Sequence, residues 1–240
     1  MGCVFGCLCE YFFQGILRRL TPARRAGILQ KWSRHLLGAI GVRVIVSGEA
    51  PPPGLIASNH LSYLDILVFS AAAACIFVSK REVKSWPGVG WIASLSGSLY
   101  IDRTRRSDTR AIQPEMQAAL ASGMRLVVFP EGTSSDGSGL LPFHSSLFQP
   151  AVDLHAPVTA AFLQYELSDG DAGEEVCYWG DHTLVPHLFN LLTKEGVGAH
   201  VKFSGRQHKF EDRKEAAGVM REEVLGLRGQ PLSSPPCHPE

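Results

Sequence analysis

The sequence predicts an α/β fold: a single domain with a mostly parallel or mixed central sheet covered by helices on both faces, preceded by an N-terminal amphipathic helical arm. Three observations carry that expectation. Short apolar runs such as "GLIAS" at 54–58 and "RLVVF" at 125–129 are continuous rather than alternating, as in strands buried on both faces. They alternate with segments whose apolar residues recur at helical spacing. The 240 residues, 45% apolar and 19% charged, suffice for one well-buried core.

The elements follow in order. Residues 1–20 form an apolar arm. Thr21-Pro22 then supplies an N-cap and a proline at the first helical position. Ile28, Leu29, Trp32, Leu36, Leu37 and Ile40 share one helical face, and Gly41 is the stop. Strands are predicted at Val42–Val46, Leu55–Ser58, Cys75–Ser79, Leu99–Ile101, Leu126–Phe129, Val158–Gln164, Val176–Trp179 and His200–Phe203. Helices are predicted at Tyr63–Ala73, Asp108–Ala121, Ser145–Leu154, Leu184–Thr193 and Glu211–Leu227, with Pro114 kinking or delaying the second of these. Three regions result: an interfacial arm over 1–41, the main domain over 42–228, and a Pro- and Ser-rich disordered tail over 229–240.

Charge and cysteines narrow the partners. Net charge is zero, so no global field draws nucleic acid. Between Tyr11 and Gly48 there is no acid, whereas Arg18, Arg19, Arg24, Arg25, Lys31, Arg34 and Arg43 are basic. With Phe5, Tyr11, Phe12, Phe13, Ile16, Leu17 and Leu20 around them, these cations suit a helix lying in an anionic membrane interface, or else the solvated face of a helix. No apolar run approaches the roughly 20 residues that span a bilayer. The start lacks a basic stretch of the signal-peptide kind, and Gly6 stands where a myristoylation signal has Ser or Thr. The six cysteines show no zinc-finger spacing and read as reduced thiols, with Cys3 a site for lipid attachment.

Three polar constellations interrupt the apolar pattern. In "SNHLSYLD", His60 and Asp65 lie five residues apart. On one continuous helix they would point about 140° from each other. They meet only if His60 lies in a loop and Asp65 in the first helical turn, a break that Ser62 supports as an N-cap. Asp65 is then either half of a capping box or the orienting partner of a general base. No G-x-S-x-G occurs, so a nucleophile elbow has no support, and the base would act on a hydroxyl that the substrate brings. In "RLVVFPEGTSSDGSG", Pro130 ends a strand and places Glu131, Gly132 and Thr133 at its carboxyl end, where open α/β sheets bind ligands. In "GSLYIDRTRRSD", Arg103 leaves another strand, followed by Arg105 and Arg106. A strand-end arginine suits bidentate phosphate binding.

In this order and spacing the segments resemble the glycerolipid acyltransferase family typified by 1-acyl-sn-glycerol-3-phosphate acyltransferases. The resemblance rests on Asn59-His60…Asp65, Gly97…Tyr100-Ile101-Asp102-Arg103, Phe129-Pro130-Glu131-Gly132-Thr133 and Pro157-Val158-Thr159-Ala160, with "SKREVKSWPGVG" between the first two, and runs from about residue 40 to 225. It implies that the 42–228 domain is the acyltransferase domain. His60 would be the general base on an acceptor hydroxyl and Asp65 its orienter. The acyl donor would be a thioester, acyl-CoA or acyl-carrier protein, attacked directly. Arg103, Glu131, Gly132 and Thr133 would hold the acceptor, with Lys80 a further candidate. No metal or bound cofactor is implied. The acceptor would be a lysolipid, 1-acyl-sn-glycerol-3-phosphate first, with the protein peripheral on the cytoplasmic face of the inner membrane.

Two departures bear on the acceptor. Many members that use phosphate-bearing acceptors have Arg after E-G-T, where this chain has Ser134. The fourth segment lacks a second proline. "FPEGTSSDG" also resembles bacterial acyltransferases that complete ornithine-type aminolipids, so a lyso-ornithine or other lyso-aminolipid is the alternative acceptor. A non-catalytic lipid-binding module and a lipid hydrolase are the readings from other classes.

Overall fold

A threonine hydroxyl opens the first helix. Thr21 Oγ1 accepts from the Arg24 N–H (3.3 Å) and Pro22 fills the first turn of α1, Pro22–Ala39. The helix buries Ala26, Ile28, Leu29 and Leu37, and Gly41 then turns the chain at φ +76°. The computed structural model describes residues 21–81, 97–101 and 111–230 together with Gly6 and Gly90; the Lys80 side chain lies outside that description. The apolar arm over 1–20 apart from Gly6, Arg103, Arg105, Arg106, most of "SKREVKSWPGVG" and the tail beyond 230 therefore fall outside the described residues.

After α1 come β1 (Val42–Ser47), β2 (Gly54–Ser58), α2 (Asp65–Ala72), β3 (Ile76–Lys80) and β4 (Leu99–Ile101). Then follow α3 (Gln113–Ala121), β5 (Arg125–Val128), α4 (Gln149–Asp153), β6 (Val158–Glu166), α5 (Ala172–Glu175), α6 (Leu184–Leu192), β7 (Val197–Phe203) and α7 (Arg213–Arg228). The strands form a seven-stranded mixed sheet in the order β1-β7-β6-β2-β5-β3-β4. Every pairing is parallel except β6 with β7. This is the α/β architecture expected from the sequence.

Period two sorts the central strands between two cores. Ile56 and Val127 face a cluster shared with α1, α2 and α6. Leu55, Ala57, Leu126 and Val128 face a cluster shared with α3, α4 and α7. Both faces of β2 are thus dry, and all its residues are buried.

Several sequence expectations shift. Pro114 sits in the first turn of α3, which opens directly after Ile112 interrupts the helical Ala111. The helix expected at 145–154 is a 3₁₀ turn, Ser145–Leu147, followed by the five-residue α4. Val176–Trp179 is not a strand. The Val176 and Cys177 N–H groups bond back to Ala172 O (3.0 and 2.9 Å), so they finish the short helix α5. Both side chains are buried, and a short buried run carries the same pattern in either conformation.

Candidate active site

Parallel neighbours β2 and β5 end side by side, with Ala57 paired to Val128. The two motif segments leave the sheet there, at its carboxyl end. Past Ser58 the chain must bend away from β6, and Asn59 covers the gap. Its carboxamide oxygen accepts from Leu163 N–H (2.8 Å) and its NH₂ donates to Leu163 O (2.9 Å), continuing the ladder with a side chain.

That bend delivers His60 outside the helix and Asp65 to its first residue, as the sequence requires. His60 Nδ1 lies 2.7 Å from Asp65 Oδ2. Asp65 is fully buried, and its carboxylate gathers donors: Leu61 N–H (2.7 Å), Ser62 N–H (3.1 Å to each oxygen) and the Tyr165 hydroxyl (2.7 Å to Oδ1). A carboxylate tolerates burial when its lone pairs are satisfied in this way. The acceptor at Nδ1 selects the tautomer that carries its proton there, leaving the Nε2 lone pair to receive another. The imidazole stacks on the Phe129 ring, centroids 4.3 Å apart and planes 13° apart.

The capping box is only half present. Asp65 reaches back to the Ser62 N–H, but the Ser62 hydroxyl is buried without a partner among the described residues. The helix begins at Asp65 after Leu64, not at Tyr63. Asp65 therefore serves the turn and the imidazole together.

Glu131 sits one strand away and is 4% exposed. Its Oε1 accepts from the His60 N–H (2.8 Å) and its Oε2 from the Leu141 N–H (2.8 Å). Burial raises its pKa, while those two hydrogen bonds and the nearby His60 pull the other way. Gly132 turns the chain behind it at φ +79°, its N–H bonded to Phe129 O (3.1 Å). Thr133 is exposed. The Ser134 hydroxyl donates to Tyr178 O, Ser135 N–H to His60 O (3.0 Å) and Tyr178 N–H to Leu61 O (2.8 Å). The backbone of His60 and Leu61 is thereby held from two sides.

His60, Asp65, Glu131, Gly132 and Thr133 thus converge on one end of the sheet. Lys80 ends β3 there, and β4, whose last residue Ile101 precedes Arg103 by two, is the next strand over. Sequence reasoning missed Tyr165 and Phe129. Tyr165 closes the apolar run "AAFLQY", and a buried tyrosine hydroxyl needs a partner, which was the available signal. Burial and the Asp65 carboxylate push the Tyr165 hydroxyl well above its ordinary pKa, so it remains a donor. Leu61 and Tyr165 also line a cavity of about 360 Å³ with Asn59, Asp136, Leu163 and Arg228. Among the described residues, no cluster of three or more His, Cys, Asp or Glu converges as metal ligands would.

Comparison with known proteins bears on the family and the fold. The acyltransferase family model matches residues 42–164. A lyso-ornithine lipid O-acyltransferase of Pseudomonas aeruginosa is 36% identical over 184 residues, covering 76% of this chain and 70% of the relative. One from Brucella abortus is 33% identical over 234 residues, covering 90% and 86%. A 1-acyl-sn-glycerol-3-phosphate acyltransferase of Neisseria meningitidis serogroup B is 36% identical over 170 residues, covering 66% and 67%. The crystal structure of the 1-acyl-sn-glycerophosphate (LPA) acyltransferase PlsC from Thermotoga maritima superposes with a TM-score of 0.61 at 20% identity, covering 93% of this chain and 89% of that one, and so shares the fold. On the family match, and on relatives above 30% identity over most of its length, the chain belongs to the acyltransferase family.

Proposed function

We propose that the protein transfers a fatty acyl group from a thioester donor, acyl-CoA or acyl-carrier protein, to the free hydroxyl of a lysolipid. The observation that carries this is the His60–Asp65 contact at 2.7 Å, in a chain with no nucleophile elbow. His60 Nε2 takes the proton from the acceptor hydroxyl as its oxygen attacks the thioester carbonyl. The tetrahedral adduct then collapses, the carbon–sulfur bond breaks, and the departing sulfur takes the proton from His60 Nε2, releasing a free thiol and restoring the neutral imidazole. Asp65 keeps the imidazole in the required tautomer and stabilises its positive charge during the step. Glu131 acts as a positioning residue, since both its oxygens are occupied by backbone N–H groups. Gly132 and Thr133 form the rim against the acceptor. Arg103 and Lys80, whose side chains lie outside the described residues, are the cations assigned to the acceptor.

For the acceptor, the loop after β5 favours a lyso-aminolipid over a phosphate-bearing lysolipid. Ser134 is bonded to Tyr178 O, and "EGTSSDGSG" carries Glu131 and Asp136 but no cation. The relative from Brucella abortus, matched over 90% of this chain, is named for lyso-ornithine lipid. The 1-acyl-sn-glycerol-3-phosphate reading rests on Arg103 and on the Neisseria relative. Purified protein given labelled acyl-CoA or acyl-carrier protein with a panel of lysolipids tests all of this. Product with lyso-ornithine lipid that vanishes in His60→Ala is the expected result. Transfer to lysophosphatidic acid alone, abolished by Arg103→Ala, reverses the choice of acceptor. Undiminished transfer by His60→Ala removes the mechanism.

A further inference from the structure

Helix α6 is built inside out. Its sequence, "LVPHLFNLL", contains no charged residue, yet Val185 (59% exposed), Leu188 (37%), Phe189 (67%) and Leu192 (49%) face solvent. These positions form an i, i+3, i+4, i+7 stripe, the pattern that a helix normally turns to its core. Four of the eight exposed large apolar side chains among the described residues lie on this one helix. Its inner side is fastened: Leu191 is buried, and His187 bonds Tyr63 Oη (3.1 Å) and Cys177 O (3.1 Å). The outward stripe is therefore not the product of a loosely packed helix.

We propose that the exposed face of α6 inserts into the interface of a lipid bilayer and sets the acyltransferase site against the lipid surface. Topology places it there. Strand β7 runs antiparallel to β6, with Gly198 opposite Glu166, so α6, which leads into β7, lies at the end of the sheet where His60 sits. Tyr63, three residues from His60, is the residue that α6 grips. Charge favours an anionic bilayer. The end of α1 meets the end of α6, since Val42 pairs with Val197 and Gly41 lies beside the Lys194 carbonyl. Toward that end helix α1 exposes Lys31 and Arg34, and it has no acid from 22 to 39. Asp181 and Glu195 flank α6, and Lys194 is paired with Glu175, so the attraction to anionic lipid comes from α1. A second copy of the chain fits less well. A nine-residue helix offers a footprint of roughly 14 by 10 Å, far below the roughly 800 Å² per partner of a stable interface.

The proposal rests on the acceptor being a lipid, but its test needs no turnover. Full-length Phe189→Trp is mixed with phosphatidylglycerol–phosphatidylcholine vesicles containing brominated lipid, and its emission is compared with wild type. The expected result is a blue shift and quenching of the added indole on vesicle addition, weaker with pure phosphatidylcholine. Leu188→Asp combined with Phe189→Asp should lower vesicle partitioning roughly tenfold or more, leaving turnover of detergent-dispersed lysolipid within about twofold. An unquenched indole on vesicle-bound protein overturns the proposal. So does an indole already blue-shifted without vesicles, which would mean that this chain or a second copy covers the face. Partitioning unchanged by the paired aspartates overturns it too. Quenching without acyl transfer to any lysolipid would instead sink the functional reading and leave the docking face standing.

Discussion

Two loops leave neighbouring strands, and each buries a carboxylate. After β2, Asp65 accepts from an imidazole, two backbone N–H groups and a tyrosine hydroxyl. After β5, Glu131 accepts from backbone N–H groups alone, one in each loop. The first carboxylate reaches a group that can change protonation during a reaction. The second fixes the backbone on which that group is mounted. Burial looks alike at the two positions, so under the proposed mechanism only the identity of the donors separates a residue that serves the proton from one that serves the frame.

The largest way to break this contrast is Asp65→Asn. It keeps the shape but offers NH₂ where the imidazole donates, and kcat should fall about 10²–10⁴-fold with little change in KM, measured by steady-state kinetics. Glu131→Gln tests the other side. One oxygen still accepts, but the amide NH₂ meets an N–H and leaves a buried donor unpaired, costing about 1–3 kcal/mol of stability. Urea unfolding should show that loss, and kcat should fall less than for Asp65→Asn. If Glu131→Gln abolishes transfer without moving stability, the frame role is wrong.

Tyr165→Phe sharpens the comparison. It removes one of several donors to Asp65, so stability should drop by about 1 kcal/mol and kcat/KM several-fold. The smallest expected effect is on pH dependence. Burial lowers the His187 pKa, although its bond to Cys177 O opposes that. The folded state then binds fewer protons than the unfolded one, so stability is full above the ordinary histidine range and is lost as pH falls through the folded pKa. Glu131 has the opposite sign, its raised pKa making stability fall as pH rises past the ordinary carboxylate range. His187→Asn should flatten the acid-side loss in thermal melts taken across pH, and Glu131→Gln should flatten the slope near the carboxylate range.

Much of this site was legible in the residues. The break between His60 and Asp65 follows from helical geometry, because a single helix cannot bring them together. The strand-end position of Glu131 follows from the apolar run that Pro130 stops. Which way each side chain faces was not legible. Glu131 reads as a ligand for the acceptor, and nothing local shows that its two oxygens also accept backbone N–H groups, one of them in a loop 71 residues earlier. Val176–Trp179 reads as a strand because burial alone does not separate the two conformations in so short a run.

By itself the sequence determined the alternation of strands and helices, the order of the motifs, the Thr21 cap and the loop that frees His60, because these depend on neighbours along the chain. Tertiary structure decided that Tyr165 reaches Asp65, that Asn59 completes the ladder to β6, and that α6 turns its apolar stripe outward. Those outcomes depend on strand order. Placing β6 beside β2 brings residues about 100 apart into contact, and no local period encodes that pairing.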